Sequence, residues 1–524
     1  MFSLLKKKST IAIILLVALY LVTHLLGLLE LPVFADEAIY IRWSQLIIDD
    51  LPRYFFFPMN DGKTPLFFWL LAPAQLLFDN HLFAARFVSV VIGLVQMLSV
   101  MKIVGLLTKN TKTVYLSGLL VTLLPFWYFH HRMALTDGLM TLMISISMFF
   151  IIKEVLSKQD NNLLNKKTIS NLLLAGLFFG LSIYSKIPAI LFTPGLFLLI
   201  FLNKNVTKNY IIGNSLKIAL TILFGLFLFS LLYFVPSFSQ LFGRGSDFLF
   251  PLSDVLAGKW KETLPSIPTY FGYFVSYMTP TLIMFIIIGL FAKKNKRMVH
   301  VFVWGGLLFV LPIGLMGKMV YARYLFPATL FFTLSSVFAI EDIFVWTKLI
   351  SKKLIWQTLS VSFLVLLLAN TFGNSGVFIA TSMTDHRNIP FNSSDTVQYL
   401  TEWSSGHGLV QTVELIKKES KDKTIAIATE GSFGSLPDGL NLYFHRKDVS
   451  NIAIDGVGYP VIGIPEKFAQ TARNYDQQWL VINSHRLNFD LDKSLLIAEY
   501  CRPFYGPCLQ VWNISSVFEN LVLD

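Results

Sequence analysis

The chain has 524 residues, 54% of them hydrophobic and only 14% charged, with a mean hydropathy of +0.60. That much apolar surface excludes a water-soluble globule. The net charge of +11 does not point to nucleic acid: residues 1–376 hold 31 Lys/Arg against 15 Asp/Glu, and residues 377–524 hold 12 against 17, a division that reads as membrane topology with a mildly acidic tail.

Apolar runs of about 20 residues recur, each long enough to cross a bilayer. The sequence therefore predicts a polytopic α-helical membrane protein. The first run, Ile11 to Leu29, is too long for a signal-peptide core and no small-residue cleavage site follows it. It reads as a retained span. Eleven spans are predicted, at roughly 10–29, 81–107, 113–130, 138–156, 170–186, 188–203, 211–236, 269–292, 298–317, 321–341 and 355–374. The fifth and sixth are separated only by Lys186-Ile187-Pro188, where Pro188 breaks the helix. No internal repeat is evident.

One alternating set of loops holds Lys6 to Lys8, Lys102 to Lys112, Lys153 to Lys167, Lys204 to Lys217, Lys293 to Arg297 and Lys348 to Lys353. With Glu341 and Asp342 at the edge of the last of these loops, the set carries 20 basic and 4 acidic residues; the other set, up to Gly376, carries 11 and 11. The positive-inside rule puts the N-terminus in the cytoplasm and, with eleven spans, the tail outside a plasma (inner) membrane.

The first outside segment, Glu30 to Asn80, opens with Phe34-Ala35-Asp36-Glu37-Ala38-Ile39-Tyr40. An adjacent acidic pair at the mouth of a membrane is costly unless something uses or neutralises it. Asp36 also suits the N-cap of a helix starting at Glu37. From Glu37 to Asp50, residues Ile39, Trp43, Leu46 and Ile47 share one helical face, the pattern of an interfacial helix. Leu66 to Phe78 reads as a second interfacial helix. Between them lies Asp61-Gly62-Lys63-Thr64-Pro65-Leu66, where Lys63 is a cation on a turn or a lysine facing headgroups.

Three further patterns lie at the same predicted membrane face: His131-Arg132-Met133-Ala134-Leu135-Thr136-Asp137, Tyr184-Ser185-Lys186-Ile187-Pro188, and Lys318-Met319-Val320-Tyr321-Ala322-Arg323-Tyr324-Leu325-Phe326-Pro327. Singly, Asp137 reads equally as a helix cap and Arg132 as a snorkelling cation. The outside loop Ser237 to Pro268, rich in Gly, Ser and Pro, reads as a mobile flap.

From Thr384 the composition becomes that of a soluble domain; the division is placed at 1–376 and 377–524. Ser394 to Trp403 and Leu409 to Glu419 have helical periodicity. Thr424 to Thr429, Val449 to Ile454, Trp479 to Ser484, Leu495 to Tyr500 and Leu509 to Ile514 read as strands, an α/β domain outside the cytoplasm. Cys501 and Cys508 are the only cysteines. Pro503, Gly506 and Pro507 between them support a turn that brings them within disulfide reach; two free buried thiols are the other reading.

Taken together, the membrane-face patterns resemble the GT-C superfamily of membrane glycosyltransferases, in the branch of protein O-mannosyltransferases and lipid A aminoarabinose transferases. Asp36-Glu37-Ala38-Ile39-Tyr40 is similar to that branch's first-loop acidic motif. Lys63-Thr64-Pro65-Leu66 is similar to its Lys-Pro-Pro-Leu, with Thr64 for the first proline. Arg132 with Asp137, Lys186 with Pro188, and Arg323-Tyr324 with Pro327 also fit. The resemblance covers about 340 residues of the membrane region and implies an enzyme that requires no metal, so no metal ligand is assigned, although three carboxylates also suit a divalent cation.

The chemistry has an independent argument. Outside the cytoplasm neither nucleotide sugars nor ATP are supplied, so an activated donor must cross the membrane; a sugar on a polyprenyl phosphate does. The leaving lipid phosphate calls for cations, led by Lys63 and Arg323, then Lys186 and Arg132. The acceptor hydroxyl must lose a proton, and Asp36 is the expected general base. A single displacement inverts the anomeric carbon. Glu37 and Asp137 orient Asp36, bind a sugar hydroxyl or hold a cation. The expected partners are a lipid-linked hexose or pentose, membrane lipids, and a protein, lipid or glycan acceptor, with no nucleic acid. The competing readings are a transporter or flippase of lipid-linked sugars, which more often shows mid-span charges and repeats, and an oligosaccharide ligase or polymerase.

Overall fold

The computed structural model describes residues 2–157, 165–349, 354–445 and 450–523. The basic loops Lys153 to Lys167 and Lys348 to Lys353, and the first residue of the predicted strand Val449 to Ile454, lie partly outside the described residues.

The helices used below are α1 (Phe2–Leu25), α2 (Ala35–Asp49), α3 (Leu66–Ala74), α4 (His81–Leu107), α5 (Thr111–Leu123), α6 (Pro125–His130), α7 (Thr136–Val155), α8 (Lys166–Ser185), α9 (Lys208–Ser230), α10 (Ile267–Met278), α11 (Pro280–Gly289), α12 (Lys296–Met316), α13 (Thr329–Leu349) and α14 (Leu354–Thr384). Among the described residues, seven helical stretches are long and apolar enough to cross a membrane, and an eighth exists if a bent pair counts as one span. Two shorter apolar helices, Thr10–Leu25 and Ile187–Leu202, and the α5–α6 pair fall on the remaining predicted spans.

Three predicted spans differ in detail, each for a local reason. The first ends at Leu25 rather than Leu29, because Gly27 is left-handed (φ +58) and a Cβ there would meet the Met383 backbone at 2.5 Å. The third breaks at Leu124, where Pro125 starts a new helix. The predicted span 269–292 is bent by 103° between Met278 and Pro280. Pro280 offers no amide to continue α10 and restricts the residue before it; Thr279 sits at φ +67, ψ 143.

The chain forms two compact units. The first contains residues 1–28, 55–67 and 86–383; the second contains residues 29–54, 68–85 and 384–524. In the first unit, α8 packs on α7 and α9. Gly176 and Gly180, four apart on α8, face Gly225 of α9: a Cβ on Gly225 would lie 2.9 Å from the Gly176 carbonyl oxygen and 2.9 Å from the Gly180 nitrogen. Small residues at that spacing let two backbones touch. Glu154 fastens the other end of the same three helices. It accepts from Thr168 (2.9 Å) and Asn171 (3.0 Å) of α8 and pairs with Lys217 of α9 (2.9 Å).

In the second unit a five-stranded sheet is built from β1 (Ile425–Thr429), β2 (Ile452–Gly456), β3 (Gln477–Asn483), β4 (Leu496–Cys501) and β5 (Cys508–Asn513). The spatial order is β2-β1-β3-β5-β4. β2, β1 and β3 are parallel; β5 and β4 are antiparallel additions. β1 is buried at all five positions, as a central parallel strand requires. Helix α15 (Leu409–Glu419) precedes β1, and helices α16 (Asp438–Phe444) and α17 (Glu466–Ala472) lie between the strands. The core is formed by Ala426, Ala428, Leu480, Ile482 and Trp512 with Phe468 and Ala472 of α17. Cys501 and Cys508 are directly opposed in the β4–β5 ladder and joined by a disulfide.

Helix α2 belongs to this second unit, and its environment differs from the interfacial helix read from its pattern. Ala38 and Ile41 are fully buried, and so are Ser44 and Gln45, which puts burial on the polar side of the helix as well. Gln45 Nε2 donates to the Leu442 carbonyl (3.2 Å), Ala35 N donates to the Ser404 carbonyl (2.9 Å), and His445 meets Asp49 at 2.9 Å. The polar face carries hydrogen bonds to the C-terminal segment, which a water-facing side would not need.

Candidate active site

In the first unit the centre of the site is an ion pair between two helix ends. Asp137 is the second residue of α7, and Leu135 is its N-cap. A carboxylate in a helix's first turn is favoured by the free amides there. Lys186 is the residue at which α8 stops, its backbone extended at φ −165, ψ 127, before Pro188 opens a short 3-10 helix, Ile187–Phe192. Lys186 Nζ lies 2.7 Å from Asp137 Oδ1. The carboxylate side chain is 4% exposed and the ammonium side chain 26%, so the lysine keeps one open side.

Aromatic rings complete the surroundings of these charges. Lys186 Nζ lies 5.0 Å from the Tyr324 ring centre, and the Arg323 guanidinium lies 5.2 Å from the same ring and 5.8 Å from Tyr321. Both cations thus share one tyrosine. His130, the last residue of α6, feels the charges of Asp137, Arg323 and Lys186. Its ring stacks on Phe326 at 4.5 Å, its Nδ1 meets the Phe126 carbonyl at 2.9 Å, and its buried Nε2 has no hydrogen-bond partner among the described residues. Tyr324 lay within a motif already singled out, but its shared role between the two cations did not show. His130 sits in the aromatic run Phe126-Trp127-Tyr128-Phe129, with nothing to mark it.

Lys63 follows a short 3-10 helix, Phe57–Asp61, capped by left-handed Gly62. That turn packs beside the Lys186 segment: Met59, Leu232 and Leu241 form a buried cluster against which Tyr184 and Ile187 pack. Asp61 is held by Arg244 at 2.6 Å. The segment Ser237 to Pro268 is therefore tied at this turn. It is tied again beyond α12, where Phe250 N donates to the Met316 carbonyl (2.8 Å) and Lys318 N donates to the Phe248 carbonyl (2.9 Å). Short helical turns fill it rather than an open flap.

Arg132 takes a different part from the one its motif suggests. Its guanidinium donates to the Thr23 carbonyl (3.1 Å), to the Gly27 carbonyl and to the Tyr128 hydroxyl, and is 6% exposed. Arg86 donates to the Leu28 carbonyl at 2.9 Å. Two arginines thus satisfy carbonyls left over at the end of α1, where positive charge is favoured. Its guanidinium is committed there and does not join Lys186 and Arg323.

In the second unit, Glu37 is fully buried and accepts the Phe34 amide at 3.1 Å, the backward arm of a capping box. The helix starts at Ala35 with Phe34 as N-cap, so Asp36 is not the cap. It is half-buried in the first turn, beside amides that favour a carboxylate. Among the described residues the one group with metal-ligand spacing is Glu499 with Cys501 and Cys508. Those sulfurs are joined to each other, leaving no thiolate to ligate.

The model of the family described as dolichyl-phosphate-mannose-protein mannosyltransferase matches residues 62–234, from the Lys63 turn to the end of α9. No curated protein matches the sequence. Among solved structures, ArnT from Cupriavidus metallidurans bound to undecaprenyl phosphate is similar with a TM-score of 0.57 at 13% identity, over 95% of this chain and 97% of that one. The apo oligosaccharyltransferase of Archaeoglobus fulgidus is similar with a TM-score of 0.54 at 10% identity, over 91% and 69%. The same archaeal enzyme, AglB, in complex with an inhibitory peptide and a dolichol-phosphate is similar with a TM-score of 0.54 at 12% identity. The chain shares the fold of these structures, a helical membrane region followed by a strand-containing domain.

Proposed function

We propose that this GT-C chain is a membrane glycosyltransferase that moves a sugar from a polyprenyl-phosphate donor to an acceptor hydroxyl, with inversion at the anomeric carbon. The observation that carries the reading is the cluster of Asp137, Lys186 and Arg323 at the helix ends of the first unit. Two cations held in place by a carboxylate and by rings suit a leaving phosphate better than a sugar hydroxyl. Undecaprenyl phosphate and dolichol-phosphate are ligands of the ArnT and AglB structures. That chemistry is carried over here as support.

In this reading the acceptor oxygen attacks the anomeric carbon as the bond to phosphate oxygen breaks. Asp36 takes the hydroxyl proton, and polyprenyl phosphate leaves without needing one. Arg323, Lys186 and Lys63 stabilise its charge, and Asp137 sets the position of Lys186. Glu37 holds the start of α2, and Arg132 ties the end of α1. These cations supply the charge a metal would, so turnover is expected to persist in a chelator.

The test is transfer by the purified chain from polyprenyl-phosphate monosaccharides to a panel of hydroxyl acceptors. Asp36→Asn should lower turnover about 10²- to 10⁴-fold, the usual cost of removing a general base, with the protein folded and donor affinity little changed. Lys63→Ala and Arg323→Ala should instead raise the donor KM. Near-normal turnover of Asp36→Asn would move the base to Glu37 or Asp137. No transfer from any lipid-linked sugar by the wild type would refute the reading, and a strict need for lipid-linked oligosaccharide would make the chain a ligase.

A further inference from the structure

We propose that His130 couples departure of the lipid phosphate to protonation: its ring takes up a proton when the site holds a phosphomonoester and not when it holds a phosphodiester. The role belongs to the polyprenyl-phosphate reading and rests on it. The need for such a group follows from charge balance. A sugar joined to a lipid phosphate is a diester with one negative charge. In the transfer the acceptor oxygen bonds to the anomeric carbon and passes its proton to the base. The bond from that carbon to the phosphate oxygen breaks, and its electron pair stays on the oxygen. Polyprenyl phosphate therefore leaves as a monoester with about two negative charges at neutral pH. The site must stabilise more negative charge as the step proceeds than it held at the start.

His130 is held in one tautomer and one pose. Its Nδ1 meets the Phe126 carbonyl at 2.9 Å. A carbonyl only accepts, so Nδ1 carries the hydrogen. The ring stacks on Phe326 at 4.5 Å with 9° between the planes, and the Phe129 ring stands at 90° to it. The other ring nitrogen, Nε2, is buried and has no hydrogen-bond partner among the described residues. In the free site it is a bare acceptor, because a hydrogen on it would be buried with nothing to receive it.

The charges around the ring decide when that nitrogen takes a proton. Asp137 at the start of α7, Lys186 at the end of α8 and Arg323 all act on it, and His131, the next residue, is the other titratable group beside it. His131 packs against Trp127 (5.2 Å) and Tyr20 (6.3 Å). Two cations against one carboxylate leave the surroundings of His130 at one positive charge. A bound diester brings that to zero, and a monoester makes it negative. Negative surroundings favour the charged form of an imidazole. Lys186 and Arg323 supply fixed charge, and Asp137 is already bonded to Lys186, whereas imidazole is the side chain whose charge ordinarily changes near neutral pH. The proton comes from the medium. His130 is a positioning residue: its charge acts across the low-dielectric interior on the phosphate that Lys186 and Arg323 hold.

The experiment is calorimetric binding to the full-length chain in detergent, with undecaprenyl phosphate as the monoester and its methyl ester as the diester. Each is titrated at pH 7.5 in two buffers of different ionisation enthalpy, which counts the protons taken up. The free monoester has by then lost its second proton, which leaves at about pH 6. The wild type should take up about one proton with the monoester and none with the methyl ester. His130→Gln, which keeps an N–H for the Phe126 carbonyl, should abolish that difference. It should weaken the monoester by about tenfold or more and the methyl ester by no more than about twofold. His131→Gln should leave the uptake in place. Where His130→Gln does not fold, the wild type decides: its monoester affinity should fall by up to about tenfold per pH unit above pH 7, and its methyl-ester affinity should stay level. Equal uptake for the two esters, uptake that survives in His130→Gln, or a monoester affinity independent of pH would overturn the proposal and leave the polyprenyl-phosphate reading in place. A wild type that binds neither ester would overturn both.

Discussion

Asp438 opens α16 at 8% exposure, with Oδ2 accepting the Gly434 amide at 2.9 Å. Burial pushes its carboxyl up to about 6, against the opposing pull of that amide and of Arg42. The folded state therefore holds this proton more tightly than the unfolded chain. Stability from the group is fully present below about 4, the ordinary aspartate range, and is lost as pH rises through about 6. The effect is on the order of 3 kcal/mol. Asp438→Asn keeps the acceptor and removes the charge. It should raise the melting temperature at pH 7.5 and leave it nearly unchanged at pH 4, flattening the profile; a variant with the wild-type slope between these values would refute the assignment. Charged residues at the ends of apolar runs stand out in a sequence, which is why Asp137, Lys186 and Arg323 were legible as site candidates. Which partner each one takes was not. Asp137 closes on Lys186 across 49 positions, whereas Arg132, five residues from Asp137, turns to carbonyls 105 and 109 positions away. Local spacing carries no information about contacts of that range.

The elements were legible where one period dominates. The helix Leu409–Glu419 and all five strands of the main sheet lie within a few residues of the segments read from alternation and composition. Elements were missed where the period is short or the chain merely changes direction. α16 and α17 are seven residues each, too short to show a helical repeat. The 103° bend before Pro280 is invisible to a count of apolar residues, because the run stays apolar on both sides of it. The contact of α8 with α9 also has an element-scale signature, the Gly176 and Gly180 pair, which gained meaning once Gly225 was seen opposite. Gly225→Leu would drive a side chain into the Phe179 ring, 2.6 Å from an ideal Cβ, and into the α8 backbone. Overpacking of a tight contact typically costs about 1–3 kcal/mol. The variant should therefore melt several degrees lower in detergent, while Leu223→Ala, at a 61% exposed position of the same helix, should not. Equal melting of the two variants would mean that the two helices do not meet as described.

At the scale of the whole molecule, the grouping into units cuts across sequence order. Residues 29–54 and 68–85 cluster with 384–524, and residues 55–67 with the first unit. A linear division near residue 376 places the first external segment with the membrane region because it lies between the first two apolar runs. Packing assigns most of it elsewhere, because α2 has backbone and side-chain partners beyond Ser404. Composition cannot reveal this, since buried Ser44 and Gln45 look like a solvent-facing side. The orientation of the chain is a separate question, and charge is the argument available for it. The loops proposed as cytoplasmic carry 20 Lys/Arg and 4 Asp/Glu, against 11 and 11 in the opposite set. Basic residues resist translocation during insertion, whereas acidic residues contribute little. That contrast predicts that Ser393, at the start of the C-terminal segment, and Lys166, at the start of α8, lie on opposite sides of the membrane. A cysteine placed at Ser393 in intact cells should react with a membrane-impermeant maleimide, and one placed at Lys166 should react only after permeabilisation. The disulfide between Cys501 and Cys508 leaves no native thiol to confuse the labelling, and it too needs the oxidising side. The reverse pattern would put that disulfide in the reducing compartment and the acceptor chemistry on the side where nucleotide sugars are available, which removes the reason for a lipid-linked donor.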